Sequence, residues 1–439
     1  MKKNDVVRRL MIEECIILAD SPSALIELCG ISVLERLLRT LQTCEFKSAI
    51  ILSSTPDSIE QHLRRVSRFR AKVKGTVCTR SPGPVTGKQI ANVWPAQAEY
   101  TLVLRGDTIF DARLLRILAA QSASTALVDL AIPTPLQGLV ASASDVFHGK
   151  FCGVSLLRHS WVSAQSGSFE AAIRNGLERR DIARLDVAAQ PLYSKTMRRE
   201  LRPFWFPAPS SASKRAAERI LLDSAQKGTL DFPAWVHAPI ENFLISKLYN
   251  TCITPNQLTL FCNIVAWTTT VLFVTGHLVP GIILALIVGV LDGLDGKQAR
   301  IKVETSKGGK LEHWFDGLFE ISWWVALAYH FRSSGELPQA FRYLLLLLFA
   351  EGLDAIAKGS ILFTYGKLID ELGPFDRFVR FVGGRRNVYV WILALGLFLG
   401  APAKAFITMA WWETATAAVH LPRAMWALWT FRKSSSVVR

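Results

Sequence analysis

The last two-fifths of the chain is partitioned into six apolar runs, at approximately 258–275, 279–297, 311–331, 339–362, 387–403 and 405–430. Each is near the roughly 20 residues that a helix needs to cross a bilayer. Several are interrupted by charge or proline, but their density means that everything after about Leu258 reads as lipid-facing. The basic residues of the links follow the positive-inside pattern. The link around His277 has none, whereas the next holds Arg300, Lys302, Lys307 and Lys310. The link after the fourth run carries Lys367, Arg377, Arg380, Arg385 and Arg386, and the tail carries Arg432, Lys433 and Arg439. Arg332 and Arg342 weaken the pattern without reversing it, so both termini are expected on the cytosolic side.

The first half has a different texture. "MIEECIILA" and "SAIILSS" read as buried strands with the helical pattern "SVLERLLRTLQT" between them, a βαβ unit. "YTLVLRG" followed by "ARLLRILAAQ" continues the alternation expected of a parallel sheet with helices on both faces. Ligands of such sheets sit at the carboxyl ends of strands, where Asp107 falls. The proline- and serine-rich "RPFWFPAPSSAS" marks a break. The expected organisation is an α/β domain over 1–201, linker and interfacial helices over 202–257 and a helical membrane domain over 258–432. Within the linker, "APIENFLISKLYN" places Ile240, Leu244 and Leu248 on one face, as either a helix lying on the bilayer or an ordinary packed amphipathic helix.

The formal charge of +15 is better explained by an anionic lipid surface than by nucleic acid, because the aromatic residues cluster in apolar segments and no base-stacking motif occurs. Seven widely spaced cysteines without a C-x-x-C pair form neither a disulfide framework nor a zinc site. They are expected as reduced core thiols. "MKKNDVVRRLMIEECIILAD" is a poor signal peptide, since acids break its apolar run, so the first domain is expected in the cytosol.

Chemistry concentrates where the second run meets the third. Asp292, Asp295 and Ala299 fall at i, i+3 and i+7 of a helix, while Gly308, Glu312 and Asp316 fall at i, i+4 and i+8 of the next. Two acidic stripes can then face one another across a short loop. Four clustered carboxylates repel strongly in a low dielectric unless cations neutralise them, and hard oxygen ligands suit Mg²⁺ or Mn²⁺. A pair of such ions would clamp the attacking and leaving oxygens of a phosphoryl group. Gly296, Ala299 and Gly308 leave room for a nucleotide, and Arg300 offers a fork to phosphate.

This constellation resembles the signature of the CDP-alcohol phosphotransferases, D-x-x-D-G-x-x-A-R followed by G-x-x-x-D-x-x-x-D, with Glu312 in place of the third aspartate. "ITPNQLTLFCN" is similar to that family's entry into its first membrane helix, and the resemblance covers about residues 236–432. It implies a six-helix membrane fold, a two-metal site of Asp292, Asp295, Glu312 and Asp316, and Asp316 as the base that takes the acceptor's proton. It further implies a CDP-alcohol donor, an alcohol acceptor, release of CMP, membrane lipids as partners, and a homodimer joined through membrane helices.

The first half resembles the sugar-phosphate nucleotidyltransferases, but "ADSPSALIELCGISVLERLL" lacks the glycines, the arginine and the lysine with which that family grips a triphosphate. Only Asp107 matches, at the metal-binding aspartate. The order of the halves resembles a known fusion of a cytidylyltransferase with a CDP-alcohol phosphotransferase. The expected fold class is therefore an α/β nucleotidyltransferase-like domain, catalytically inactive, followed by an all-α six-helix transmembrane domain. Two other readings stand beside the enzyme. A scaffold with both sites dead is kept open by Glu312, and a transporter would instead scatter its acids over several spans.

Overall fold

The computed structural model describes residues 12–20, 22–67, 73–146, 149–228, 231–251, 253–304 and 309–437, with side chains described except at 309–315 and 431–437. Two compact units divide the chain. The first holds Met1–Lys227 with Tyr249–Thr251 and Ala299–Thr305, and the second holds Gly228–Leu248, Cys252–Gln298 and Ser306–Arg439.

In the first unit, short runs of branched apolar residues form the strands β1 (Glu14–Leu18), β2 (Ser48–Ser53), β3 (Lys74–Thr79), β4 (Tyr100–Arg105), β5 (Thr125–Asp129), β6 (Gly149–Arg158) and β7 (Ala183–Asp186). Their order across the sheet is β7-β5-β6-β4-β1-β2-β3. Ile16 at the centre pairs in parallel with Ile50 on one side and Val103 on the other, and it packs with Val128, Leu157 and Ile173 in the core. Helix α1 (Val33–Thr43) links β1 to β2. The Ser32 hydroxyl accepts from the Glu35 amide at 3.0 Å to start it, and Leu34, Leu37, Leu38 and Leu41 are buried on one stripe.

The sheet departs from the parallel expectation at β6, which runs antiparallel to both β4 and β5. Pairing of Asp145–Val146 onto Gly149–Lys150 folds the chain back directly ahead of that strand. A register shift between Phe151 and Ser155 carries Gly153 at φ +83°, and this glycine interrupts the apolar pattern that would have marked a long strand. Beyond β7, Trp205–Pro207 pairs with Thr108–Phe110, and helix α2 (Lys214–Ala225) follows in the same unit. The six described cysteines are all free, with Cys15, Cys29, Cys152 and Cys262 buried, as expected of core thiols; Cys252 lies outside the described residues.

The second unit is helical: α3 (Pro233–Leu248), α4 (Pro255–Val274), α5 (Leu278–Ile301, to Gln298 in this unit), α6 (Gly309–Ser333), α7 (Ala340–Tyr365), α8 (Pro374–Val382), α9 (Arg386–Phe398) and α10 (Pro402–Val437). The start of α4 is written in "ITPNQL". Thr254 and Gln257 cap each other's backbone amides, and Pro255 occupies the first turn, where a missing N–H costs nothing. Gly366 ends α7 in the left-handed conformation at φ +62°.

A helix stands at each of the six expected spans, but among the described residues only α4 and α5 are long and apolar enough to cross a bilayer by length and composition. The charged and polar side chains within α6, α7 and α10 lower their hydropathy, and α9 has 13 residues. The outward faces remain apolar nevertheless. Leu260, Phe261, Ile264, Trp267 and Val271 form an exposed stripe along α4, and Leu345, Phe349 and Phe363 do so on α7.

Candidate active site

Asp292 and Asp295 lie one turn apart near the end of α5, and Asp316 lies in α6. Their surroundings are specific. The Thr259 hydroxyl of α4 donates to Asp295 Oδ2 at 2.6 Å, and the Gly296 amide donates to its other oxygen at 2.5 Å, so this buried carboxylate is aimed by two donors. Asp292 and Asp316 meet a shared cation instead. Arg386, at the start of α9, donates from Nη2 to Asp292 Oδ2 at 2.6 Å, and its Nη1 lies 3.9 Å from Asp316 Oδ1. The guanidinium also sits over the Phe319 ring, 5.0 Å from the centroid, which fixes its plane.

The acidic side chains of α5 and α6 thus converge within reach of a single positive group. Carboxylates from two helices share this one positive charge and are hard oxygen donors of the kind Mg²⁺ or Mn²⁺ takes, with Thr259 fixing Asp295 on α5. As they stand, Asp292, Asp295 and Asp316 do not bring three ligand oxygens within 4.8 Å of one another, which among the described residues Glu351, Asp354 and Glu413 do. Gly308 lies outside the described residues, as does the side chain of Glu312, whose backbone is in α6. Gly296 is half-buried on α5. Ala299 and Arg300 belong to the first unit, where Arg300 Nε donates to the Ala225 carbonyl at 2.6 Å.

Close packing backs the acids. A Cβ on Gly293 would stand 2.2 Å from Glu241 Oε1, and one on Gly289 would stand 2.7 Å from the His237 ring, so α3 lies directly on the glycine side of α5. Lys297, fully buried, meets Asn242 and lies 3.8 Å from Glu241. The same helix α3 leaves Trp235, Ile240 and Phe243 exposed, so it is both a packed helix and one with an apolar outer face. Burial pushes the His237 imidazole below its usual range.

In the first unit, Asp107 does stand just beyond the carboxyl end of β4, but Arg105 grips it with Nε at 3.1 Å and Nη2 at 3.0 Å while reaching Glu170 with Nη1 at 2.7 Å. Asp20, after β1, accepts from the Ser54 amide at 2.6 Å and hydroxyl at 2.8 Å and pairs with Arg80. Burial pushes the Asp20 carboxyl up, but the Ser54 donors and Arg80 outweigh it and hold it below the usual range. A cavity of about 230 Å³ between these groups is lined by three carboxylates and, among the described residues, one cation, Arg105. Ligand pockets usually run from about 300 Å³ upward. The segment after β1 forms a short 3₁₀ turn at Ser23–Leu25 and a tight hairpin through Cys29 and Gly30, both at positive φ, rather than an open loop of amides.

Residues 19–216 match the family model of the MobA-like NTP transferase domain, and residues 252–419 match that of the CDP-alcohol phosphatidyltransferases. The chain is thus similar to the first model in its first half and to the second in its second half. Two curated relatives are both named bifunctional IPC transferase and DIPP synthase. The one from Aquifex aeolicus is 24% identical over 221 residues, 47% of this chain and 47% of the relative. The one from Rubrobacter xylanophilus is 28% identical over 212 residues, 46% of this chain and 44% of the relative. The chain therefore spans about half the length of the curated relatives it matches. Among solved structures, the inositol-1-phosphate CTP transferase from T. maritima aligns with 48% of this chain and 96% of its own, at 13% identity and a TM-score of 0.35.

Several residues of the site escaped sequence reasoning. Thr259 carries no signal beyond its place in the "TPNQLT" segment, and Arg386 reads from sequence, with Arg377, Arg380 and Arg385, either as a binder of an acceptor's phosphate or as topological charge, not as a partner of the acids. Acids and bases inside the apolar runs, at 351, 354, 358, 413 and 420, were a readable signal that the six-span division passed over.

Proposed function

We propose that this protein is an integral-membrane CDP-alcohol phosphotransferase that moves a substituted phosphate from a CDP-alcohol, of the CDP-diacylglycerol or CDP-inositol type, to an alcohol acceptor and releases CMP. What supports this reading is that Asp292 and Asp316, from two successive helices, both lie within 4 Å of the one guanidinium of Arg386. Asp292, Asp295, Glu312 and Asp316 would hold Mg²⁺ or Mn²⁺. These ions, when bound, supply charge stabilisation to the pyrophosphate oxygens.

The chain's own residues divide the remaining work. Asp316 accepts the proton of the acceptor hydroxyl, and the freed oxygen forms a bond to the phosphorus that bears the donor's alcohol. The bond from that phosphorus to the CMP oxygen breaks, and CMP leaves with the electron pair. Thr259 holds Asp295 in one orientation, so this ligand needs no reorganisation when charge develops. Arg386, placed between the two acids, yields them to the divalent ions and turns its fork toward a phosphate of the bound substrate.

Membrane integration is supported by α4 and α5 and by the exposed aromatic and aliphatic stripes, which are far too extensive for contact with water. The protein sits in the cytoplasmic membrane with its first unit in the cytosol, takes lipid or polar alcohols at the bilayer edge and forms a homodimer through its helices. The first unit is inactive as a nucleotidyltransferase, because Arg105 and Arg80 tie up Asp107 and Asp20 and, among the described residues, no glycine lines the cavity. The deciding experiment is CMP release from CDP-diacylglycerol and from CDP-inositol in Mg²⁺ or Mn²⁺ with a panel of alcohol acceptors. Absence of turnover with every donor would replace the enzyme with a scaffold. CTP and inositol phosphate should give no CDP-inositol, and robust product would overturn the account of the first unit.

A further inference from the structure

A second acidic cluster lies in the helical unit, apart from the carboxylates of α5 and α6. Glu351 and Asp354 of α7 and Glu413 of α10 bring ligand oxygens within 4.8 Å of one another. Asp354 and Glu413 are completely buried, and Glu351 is half-buried. The neighbours account for part of this charge. Lys358, one turn on from Asp354, forms an ion pair with it, and His420 Nδ1 lies 2.5 Å from Asp354 Oδ1. Tyr389 of α9 donates to Glu413 Oε2.

That leaves a deficit. Three carboxylates face Lys358 and His420, with Arg385 acting on Glu351 from further off, and Glu413 Oε1, in a side chain with no exposure at all, has no hydrogen-bond partner. A carboxylate oxygen left unpaired in a dry interior carries a desolvation cost that a bound cation would offset. The backbone is shaped around this carboxylate as well. A Cβ on Gly384 would come 1.8 Å from Glu413 Oε2 and 2.4 Å from the Tyr389 hydroxyl, so only glycine leaves the carboxylate its seat.

We infer that Glu351, Asp354 and Glu413 form a second cation site, which takes one hard divalent ion and clasps α7 to α10. All three donors are carboxylate oxygens, the ligands a hard divalent ion prefers. Glu413 Oε1 would turn to the ion, with Tyr389 orienting the carboxylate from behind.

The test uses the full chain in detergent, stripped with chelator, with Asp292, Asp295 and Asp316 changed to Asn and Glu312 to Gln so that the other acidic site contributes nothing. Titration with Ca²⁺, Mn²⁺ and Mg²⁺, followed by calorimetry and by thermal unfolding, should show one ion bound per chain, with a rise in melting temperature. Adding Glu413→Gln should weaken Ca²⁺ binding about 100-fold, since loss of a mere supporting partner already costs about 10–100-fold. Glu351→Gln, at the half-buried rim, should do the same and remains readable if the fully buried variant does not fold. The site is refuted if this background variant binds none of the three ions, or if Glu351→Gln leaves binding unchanged. Neither result bears on CMP release by the unmodified chain, so this inference and the proposed activity fail separately.

Discussion

Replacing Arg386 by glutamine should make the stability of the helical unit depend on divalent cations. The arginine side chain is only 12% exposed and stands 2.6 Å from Asp292 and 3.9 Å from Asp316. At an effective dielectric of about 20, the longer of these contacts alone amounts to about 4 kcal/mol of Coulomb attraction. Most of that is offset by desolvation while the pair is intact, but removing one partner leaves the other charges uncompensated, at about 3–5 kcal/mol. For a unit of this size, about 2–4 °C per kcal/mol translates this into a fall in melting temperature of about 6–20 °C in chelator. Mg²⁺ or Mn²⁺ should restore most of it by taking the position between the carboxylates. The unmodified chain, whose arginine already occupies that position, should respond much less. Arg386→Lys should fall between the two, since an ammonium keeps the charge but loses the fork and the stacking on Phe319. The assay is thermal unfolding in detergent across a metal titration. If the glutamine variant melts with the unmodified chain in chelator, or both gain equally from metal, Arg386 is not the stand-in for the ion and the two aspartates do not form one site.

Asp316→Asn should abolish transfer while CDP-alcohol binding, read by equilibrium dialysis, stays largely intact; unchanged turnover removes Asp316 as the base. Thr259→Val should cost about 1 kcal/mol of stability through the lost hydrogen bond to a charged group and raise the metal concentration needed for half-maximal turnover, and an unchanged metal dependence would mean Asp295 needs no such aim. In the first unit the Asp20 carboxyl is held below its unfolded value, so its contribution to stability is complete above about pH 4 and is lost as pH falls through the lower, folded value. Asp20→Asn should accordingly be less stable at neutral pH and flatter in its acid unfolding below about pH 4, measured by circular dichroism; parallel acid curves would refute the assignment.

What could be read from sequence divides along the range of the interactions involved. The helices at the six apolar runs and the β1-α1-β2 start follow from local periodicity, and the structure has each of them. The reversed strand β6 was hidden because Gly153 breaks its apolar pattern and because strand direction depends on what the chain pairs with rather than on the strand's own residues. Arg386 was hidden for a related reason. It lies 94 positions from Asp292, and its role is set by the approach of α9 to α5, for which no spacing rule exists.

The same reasoning explains why the two acidic groups differ in legibility. Asp292 and Asp295 announce themselves by falling on one face beside a small residue, whereas Glu351 and Glu413 each look like a lone interruption of an apolar run. A lone acid in such a run is expensive wherever it faces lipid, so each must have a partner on another helix, and the rational search is for pairs of interruptions at matching depth. Asp354 with His420 and Glu413 with Tyr389 are such pairs in the folded chain. Charges that penalise a helix taken alone, and that kept α7 from qualifying as apolar enough to cross a bilayer, are then the contacts that hold α7 against α10. It follows that replacing Glu351, Asp354 and Glu413 together by their amides should raise the apolarity of α7 and α10 yet loosen their association, seen as faster proteolysis of the helical unit; tighter association would mean the acids are not a clasp.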